Sequence, residues 1–258
     1  MQIWYQSHID PAENPHYVGA VGEYLNSIAD PGTTFEVIGM SPPDRDLHLI
    51  SEFRCAAHVI RNAVRAQEGG YDAYAVGHFQ DAALLEARAG VEIPVLGLGE
   101  ASMLHACTLG QKIGLVTINP YFIPWHERQI AGYALGGRVV AVRAMETNVG
   151  TYMSAMAGDD AALADVRSQF RAQAEPLVEA GVEVIIPAGG LPTMVLARFG
   201  LDVDLGGAVV LNGIAVLAKS AELAVKLRGA GVAGASRNGT FALPTGNTVS
   251  DFLESMAH

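Results

Sequence analysis

Two facing α/β lobes, each with a parallel sheet flanked by helices, are predicted by three features of the 258-residue chain. Short apolar runs alternate with longer amphipathic segments, a pattern that calls for parallel strands covered on both faces. Residues 72–88 (DAYAVGHFQDAALLEAR) and 182–198 (VEVIIPAGGLPTMVLAR) repeat a strand, a turn and a helix ending Ala-Arg, at an offset of 110. The segments closing the strands are polar or Gly-rich, as expected where ligands sit beyond the carboxyl ends of a parallel sheet.

Taken in order, strands are expected at 2–7, 34–40, 72–77, 94–98, 112–117, 138–142 and 182–186, each short and partly β-branched. Helices are expected at 51–67, 120–135 and 160–180, with apolar residues at three- and four-residue spacing. In the first of these, Ser51 reads as the N-cap and Gly69-Gly70 as the stop. Lobe one is placed at residues 1–113 plus 212–258, the helix after Asn212 returning to it, and lobe two at 114–211. The active site then lies in the cleft between them.

Composition narrows the function. Sixteen basic against 27 acidic residues give a net charge of −11, which repels phosphate backbones and argues against nucleic-acid binding. No apolar run reaches the roughly 18 residues of a spanning helix, and the N-terminal segment MQIWYQSHID is not a leader, so no membrane partner is expected. Cys55 and Cys107 cannot form a disulfide framework and read as small buried hydrophobes. A cytoplasmic enzyme of a small molecule, self-associating through apolar faces, fits this balance.

Three strands deliver His8, His78 and Glu100 to one edge of the cleft. Two imidazoles and a carboxylate are a competent ligand set for zinc, or for iron or manganese, with a position left open for an ionised water. A carboxylate opening a helix also reads as a cap, which is the competing role for Glu100. Ser7, Thr117 and Asn119 add polar groups at the same rim, and Gly189-Gly190 a tight turn whose backbone N–H groups suit an anion or imide. Neither GxGxxG with a following acidic residue nor GxxxxGK[ST] occurs, so no nucleotide cofactor is expected. Segment 144–160 reads as a lid, with Glu146 its acidic residue; Ser236 and Arg237 form a second polar loop.

The segment GHFQDAALLEARAGVEIPVLGLGEASMLHA (77–106) resembles the hydantoin racemase branch of the aspartate/glutamate racemase superfamily, and VEVIIPAGGLPTMV (182–195) resembles its second half-site. The resemblance implies two pseudo-symmetric lobes and a pair of cysteines acting on opposite faces of the substrate carbon. At the matching positions this chain has His78 and Ala188, so both thiols are missing. The family's Asn-Pro-Asn type of N-terminal motif reads Gln6-Ser7-His8 here, and Glu100 matches an acidic residue that the family often carries.

From these residues the expected activity is a metal-dependent hydrolase or lyase, opening or desulfurating a hydantoin-like ring, with His8, His78 and Glu100 as ligands and catalytic groups. The alternative is a cysteine-free racemase or isomerase in which His78 moves a proton, paired with His8 or with Tyr121 of lobe two. A binding protein without turnover is the third reading.

Overall fold

The computed structural model describes residues 1–44, 48–200 and 205–256. Strands β1 (Gln2–Gln6), β2 (Thr34–Ile38), β3 (Ala73–Val76) and β4 (Val95–Gly97) form one parallel sheet in the order β2-β1-β3-β4. Strands β5 (Ile113–Thr117), β6 (Val139–Ala144), β7 (Val184–Ala188) and β8 (Val209–Val210) form a second, in the order β6-β5-β7-β8. The two orders are the same, so the 110-residue repeat is a repeat of topology. Every residue of β3, β5 and β7 is buried, which explains their unbroken apolar runs.

Helices α1 (Pro15–Ile28), α2 (Leu49–Glu68), α3 (Leu84–Gly90) and α4 (Leu98–Ala106) flank the first sheet. Around the second lie α5 (Ile123–Gly132), α6 (Val149–Met156), α7 (Asp160–Glu179) and α8 (Gly190–Phe199). Helix α9 (Gly213–Gly229) packs on α4, β3 and β4, and α10 (Thr248–Ser255) lays Val249 and Leu253 on the outer core of the first sheet. One large core joins the two lobes, and a smaller one fills the space under α2. No helix among the described residues is long and apolar enough to cross a membrane.

Several boundaries differ from expectation for local reasons. Helix α2 opens at Leu49, because His48 Nδ1 accepts from Ile50 N at 3.2 Å; Ser51 instead donates to Asp44 Oδ1 at 2.6 Å. Helix α4 starts at Leu98, not Glu100, and closes before Cys107, which is half-buried at its C-cap. The expected lid segment contains α6, capped by Asn148 Oδ1 on Thr151 N. With only two residues, β8 shows no periodicity to detect.

Candidate active site

β1 and β3 are neighbours, so their exits lie side by side. Gln6, fully buried, fixes the first: its Oε1 accepts from Asn62 Nδ2 at 2.8 Å and Tyr74 OH at 3.0 Å, and its Nε2 donates to Ser7 O at 2.8 Å. Ser7 closes the turn by accepting from Ile9 N at 3.2 Å, so its hydroxyl serves the loop that presents His8. At the second exit Gly77 lies directly over the Tyr5 ring, where a Cβ would overlap it. Only glycine lets the chain pass and turn His78 toward the cleft.

His8 and His78 stack with ring centroids 4.0 Å apart and planes within 8°. Glu52 Oε1, from α2, lies 3.8 Å from His78 Nδ1, too long for a hydrogen bond but within ion-pair reach. His78 Nδ1 is sealed from solvent while the residue lines the cavity, leaving Nε2 as the nitrogen available to a ligand. Both ring nitrogens of His8 are buried without a partner. Burial, aided by His78, Arg54 and His58, holds His8 well below the ordinary imidazole range, so it is neutral at physiological pH. Burial raises the Glu52 carboxyl above its ordinary range, against the pull of His78 and with help from Asp44. His8, Asp44, Glu52 and His78 bring one polar atom each within 4.8 Å of one another, and they are the described residues close enough to share a cation.

Lobe two closes the cavity with Ile118, Phe122, Val149, Ala188 and the Gly189–Pro192 turn. Helix α8 begins there, so the amides of Gly190 and Leu191 have no helical acceptor. Gly190 approaches Gly77 so closely that a Cβ would sit 2.9 Å from Gly77 O across the cleft. Although the repeat aligns His78 with Ala188, Ala188 is the last residue of β7 and His78 lies two residues beyond β3.

The remaining expected groups are engaged elsewhere. Thr117 is fully buried, donating to Ala188 O at 3.3 Å and meeting His126 Nε2 at 2.9 Å; Asn119 Oδ1 caps Tyr121 N at 3.0 Å. Tyr121 is 81% exposed, Glu146 is exposed, and neither lines the cavity. Arg237 binds the carbonyls of Arg88, Val91 and Phe241, tying the tail to lobe one. Glu100 is corrected as a partner of the histidines: its carboxylate takes two bonds from Arg88, at 3.2 and 2.7 Å.

The N–H groups of Gly99 and Glu100 are capped by Asp81, at 3.0 and 2.6 Å. Asp81 also accepts across the lobe boundary from Gln129 Nε2 at 3.1 Å and Tyr133 OH at 2.6 Å. Burial pushes its carboxyl up to about 7, outweighing these donors. His126, held down at about 4 by burial, extends the network through Gln129. Sequence reasoning missed Asp81, Asp44 and Glu52; Asp81 alone left a trace, in the GHFQDAAL turn.

A sequence model described as Asp/Glu/hydantoin racemase matches residues 9–221. The chain belongs to this racemase family. Over 111 residues it is 26% identical to the hydantoin racemase of Pseudomonas sp. (strain NS671), a match covering 42% of this chain and only 45% of that protein. The structure resembles allantoin racemase from Klebsiella pneumoniae with TM-score 0.80, 23% identity and coverage of 95% and 94% of the two chains. Allantoin racemase from Pseudomonas fluorescens gives 0.73, 23%, and 96% and 99%. These likenesses establish the two-lobed fold.

Membership corrects the expected activity. A racemase family agrees with the isomerase alternative and not with a metal-dependent hydrolase or lyase. The expected zinc, iron or manganese ion is withdrawn with it: its purpose was to supply hydroxide, whereas racemases move a proton, and Glu100 is committed to Arg88.

Proposed function

We propose that the protein is a cysteine-free isomerase of small, neutral ring carbonyl compounds, in which His78 takes a proton from the carbon beside the carbonyl. The observation that carries this reading is the His8–His78 stack at the cleft, with Glu52 behind it. His78 Nε2 is the acceptor; the imidazolium that forms is stabilised by Glu52 at Nδ1. His8, neutral and with both ring nitrogens buried, braces the His78 ring by stacking on it. The Gly190 and Leu191 amides, at the start of α8, offer donors to the developing enolate oxygen.

The substrate class follows from charge and acidity. Among the described residues lining the cavity there is no Lys or Arg to hold a carboxylate, and Asp44 lies on its wall. An imidazole base also needs a carbon more acidic than that of a simple amino acid. A cyclic ureide, the ring type named in the hydantoin and allantoin relatives, meets both conditions. The reading remains that of a cytoplasmic, self-associating enzyme; Leu49, Ile50 and Phe53, exposed on the first turns of α2, are the apolar groups for contact.

The test is proton NMR of 5-monosubstituted hydantoins and allantoin in D2O with wild type and His78→Ala. Wild type should replace the ring C–H by deuterium without a change of product mass other than the label, and His78→Ala should lose about 100-fold or more of that rate. Undiminished exchange in His78→Ala, or ring-opened product without exchange, would overturn the reading.

A further inference from the structure

We infer that proton transfer in this cleft is one-sided: the proton leaves and returns on the lobe-one face, with retention of configuration rather than inversion. This deepens the isomerase reading above and rests on it. Inversion needs a proton donor on the face opposite the base. Among the described residues that line the cavity, lobe two offers Ile118, Phe122, Val149, Ala188, Leu191 and Pro192, none of which ionises. Its nearby titratable side chains are turned elsewhere: His126 is buried against Thr117, and Tyr121 points to solvent. The Gly190 and Leu191 amides hold an oxyanion but release no proton.

The Tyr17 hydroxyl reaches this rim, 3.6 Å from where a Gly190 Cβ would stand. Burial holds its phenol well above the ordinary range, and a tyrosinate left there would have no cation beside it among the cavity's described residues. It can hydrogen-bond a ligand, and burial favours its protonated form.

On the lobe-one face the balance closes. The C–H bond breaks, its electron pair moves into the ring carbonyl as an enolate, and the proton goes to His78 Nε2. The His78 side chain keeps 15% of its surface open, enough for the imidazolium to trade its proton with water. A C–H or C–D bond then forms on the face that was vacated. The stacked His8 lies on this same face, its ring centroid 4.0 Å from that of His78, and adds no donor to the opposite one.

The experiment uses one enantiomer of a 5-monosubstituted hydantoin in D2O, with deuterium uptake followed by NMR and inversion by chiral chromatography, both corrected for the uncatalysed rates. Exchange should outrun inversion at least ~10-fold, with the label in recovered starting enantiomer. Inversion keeping pace with exchange, with the label confined to inverted product, is the two-base pattern and overturns the inference while leaving the isomerase reading standing. Neither exchange nor inversion across the ureides overturns both. In Ala188→Cys, which puts a thiol on the bare face, the ratio of inversion to exchange should rise ~10-fold; an unchanged ratio in folded protein counts against the inference.

Discussion

The ends of β1 and β3 and the ends of β5 and β7 are built on the same topology and carry opposite chemistry. In lobe one, the strand exits present two stacked imidazoles backed by Glu52 and Asp44, several of their polar atoms buried without partners. In lobe two, the same exits present alkyl groups, a glycine turn and the start of α8, while Thr117 and Asn119 are spent on local bonds. The contrast extends to the helices that follow. Helix α4 has its first amides occupied by Asp81, whereas α8 leaves its own at the cavity. On the proposed reading a duplicated scaffold divides its labour, one half handling protons and the other shaping the ligand.

The largest effect should come from the proton-handling half. Replacing His78 by Ala should reduce solvent exchange into a hydantoin by about 10²–10⁴-fold, measured by NMR, with the thermal midpoint nearly unchanged because the side chain faces a cavity. Next comes the joint between halves. Asp81→Ala strands the Gly99 and Glu100 amides, Gln129 and Tyr133 together, and should cost about 3 kcal/mol in urea unfolding at pH 5.

Asp81 also predicts a pH dependence. Its folded value of about 7 lies above that of an unfolded aspartate, so the folded chain binds the extra proton between about pH 4 and 7. Stability contributed by this group is therefore present at low pH and falls as pH rises through that window. Urea midpoints of Asp81→Asn should lack that fall.

A smaller, opposite effect is expected one turn on. Ala83 holds φ of +54° at the start of α3, a left-handed conformation that costs a side chain about 1 kcal/mol. Ala83→Gly should therefore raise the melting temperature by a few degrees for a gain of that size. The smallest effect belongs to the withdrawn metal: exhaustive dialysis against a chelator should leave exchange activity within assay error.

How much of this was legible in the sequence depends on range. Seven of the eight strands were visible as apolar runs because burial on both faces writes itself into every residue; β8, with two residues, had no pattern to show. That His8 and His78 lie together was legible because parallel strands put their chain exits at one sheet edge, a rule of topology. Glu100 was misplaced for the converse reason. Its strand also ends at that edge, but the α4 start turns its side chain to Arg88, a contact 12 residues away that no periodicity encodes. Glu52 was missed because α2 looks like an ordinary amphipathic helix, and only its packing over the β1–β3 exits brings this carboxylate to His78; Asp44 was missed because it lies in the loop after β2, where no periodicity marks it. Thr117 illustrates the same limit, since a strand-end hydroxyl can face the ligand or, as here, a buried histidine.

The most direct test of the central claim is chemical rescue. In His78→Gly, solvent exchange into a 5-monosubstituted hydantoin should collapse and then return in proportion to added imidazole, because the cavity left on lobe one readmits the missing base. Exchange that survives the substitution, or that imidazole fails to restore in a folded variant, would contradict the assignment of proton transfer to His78.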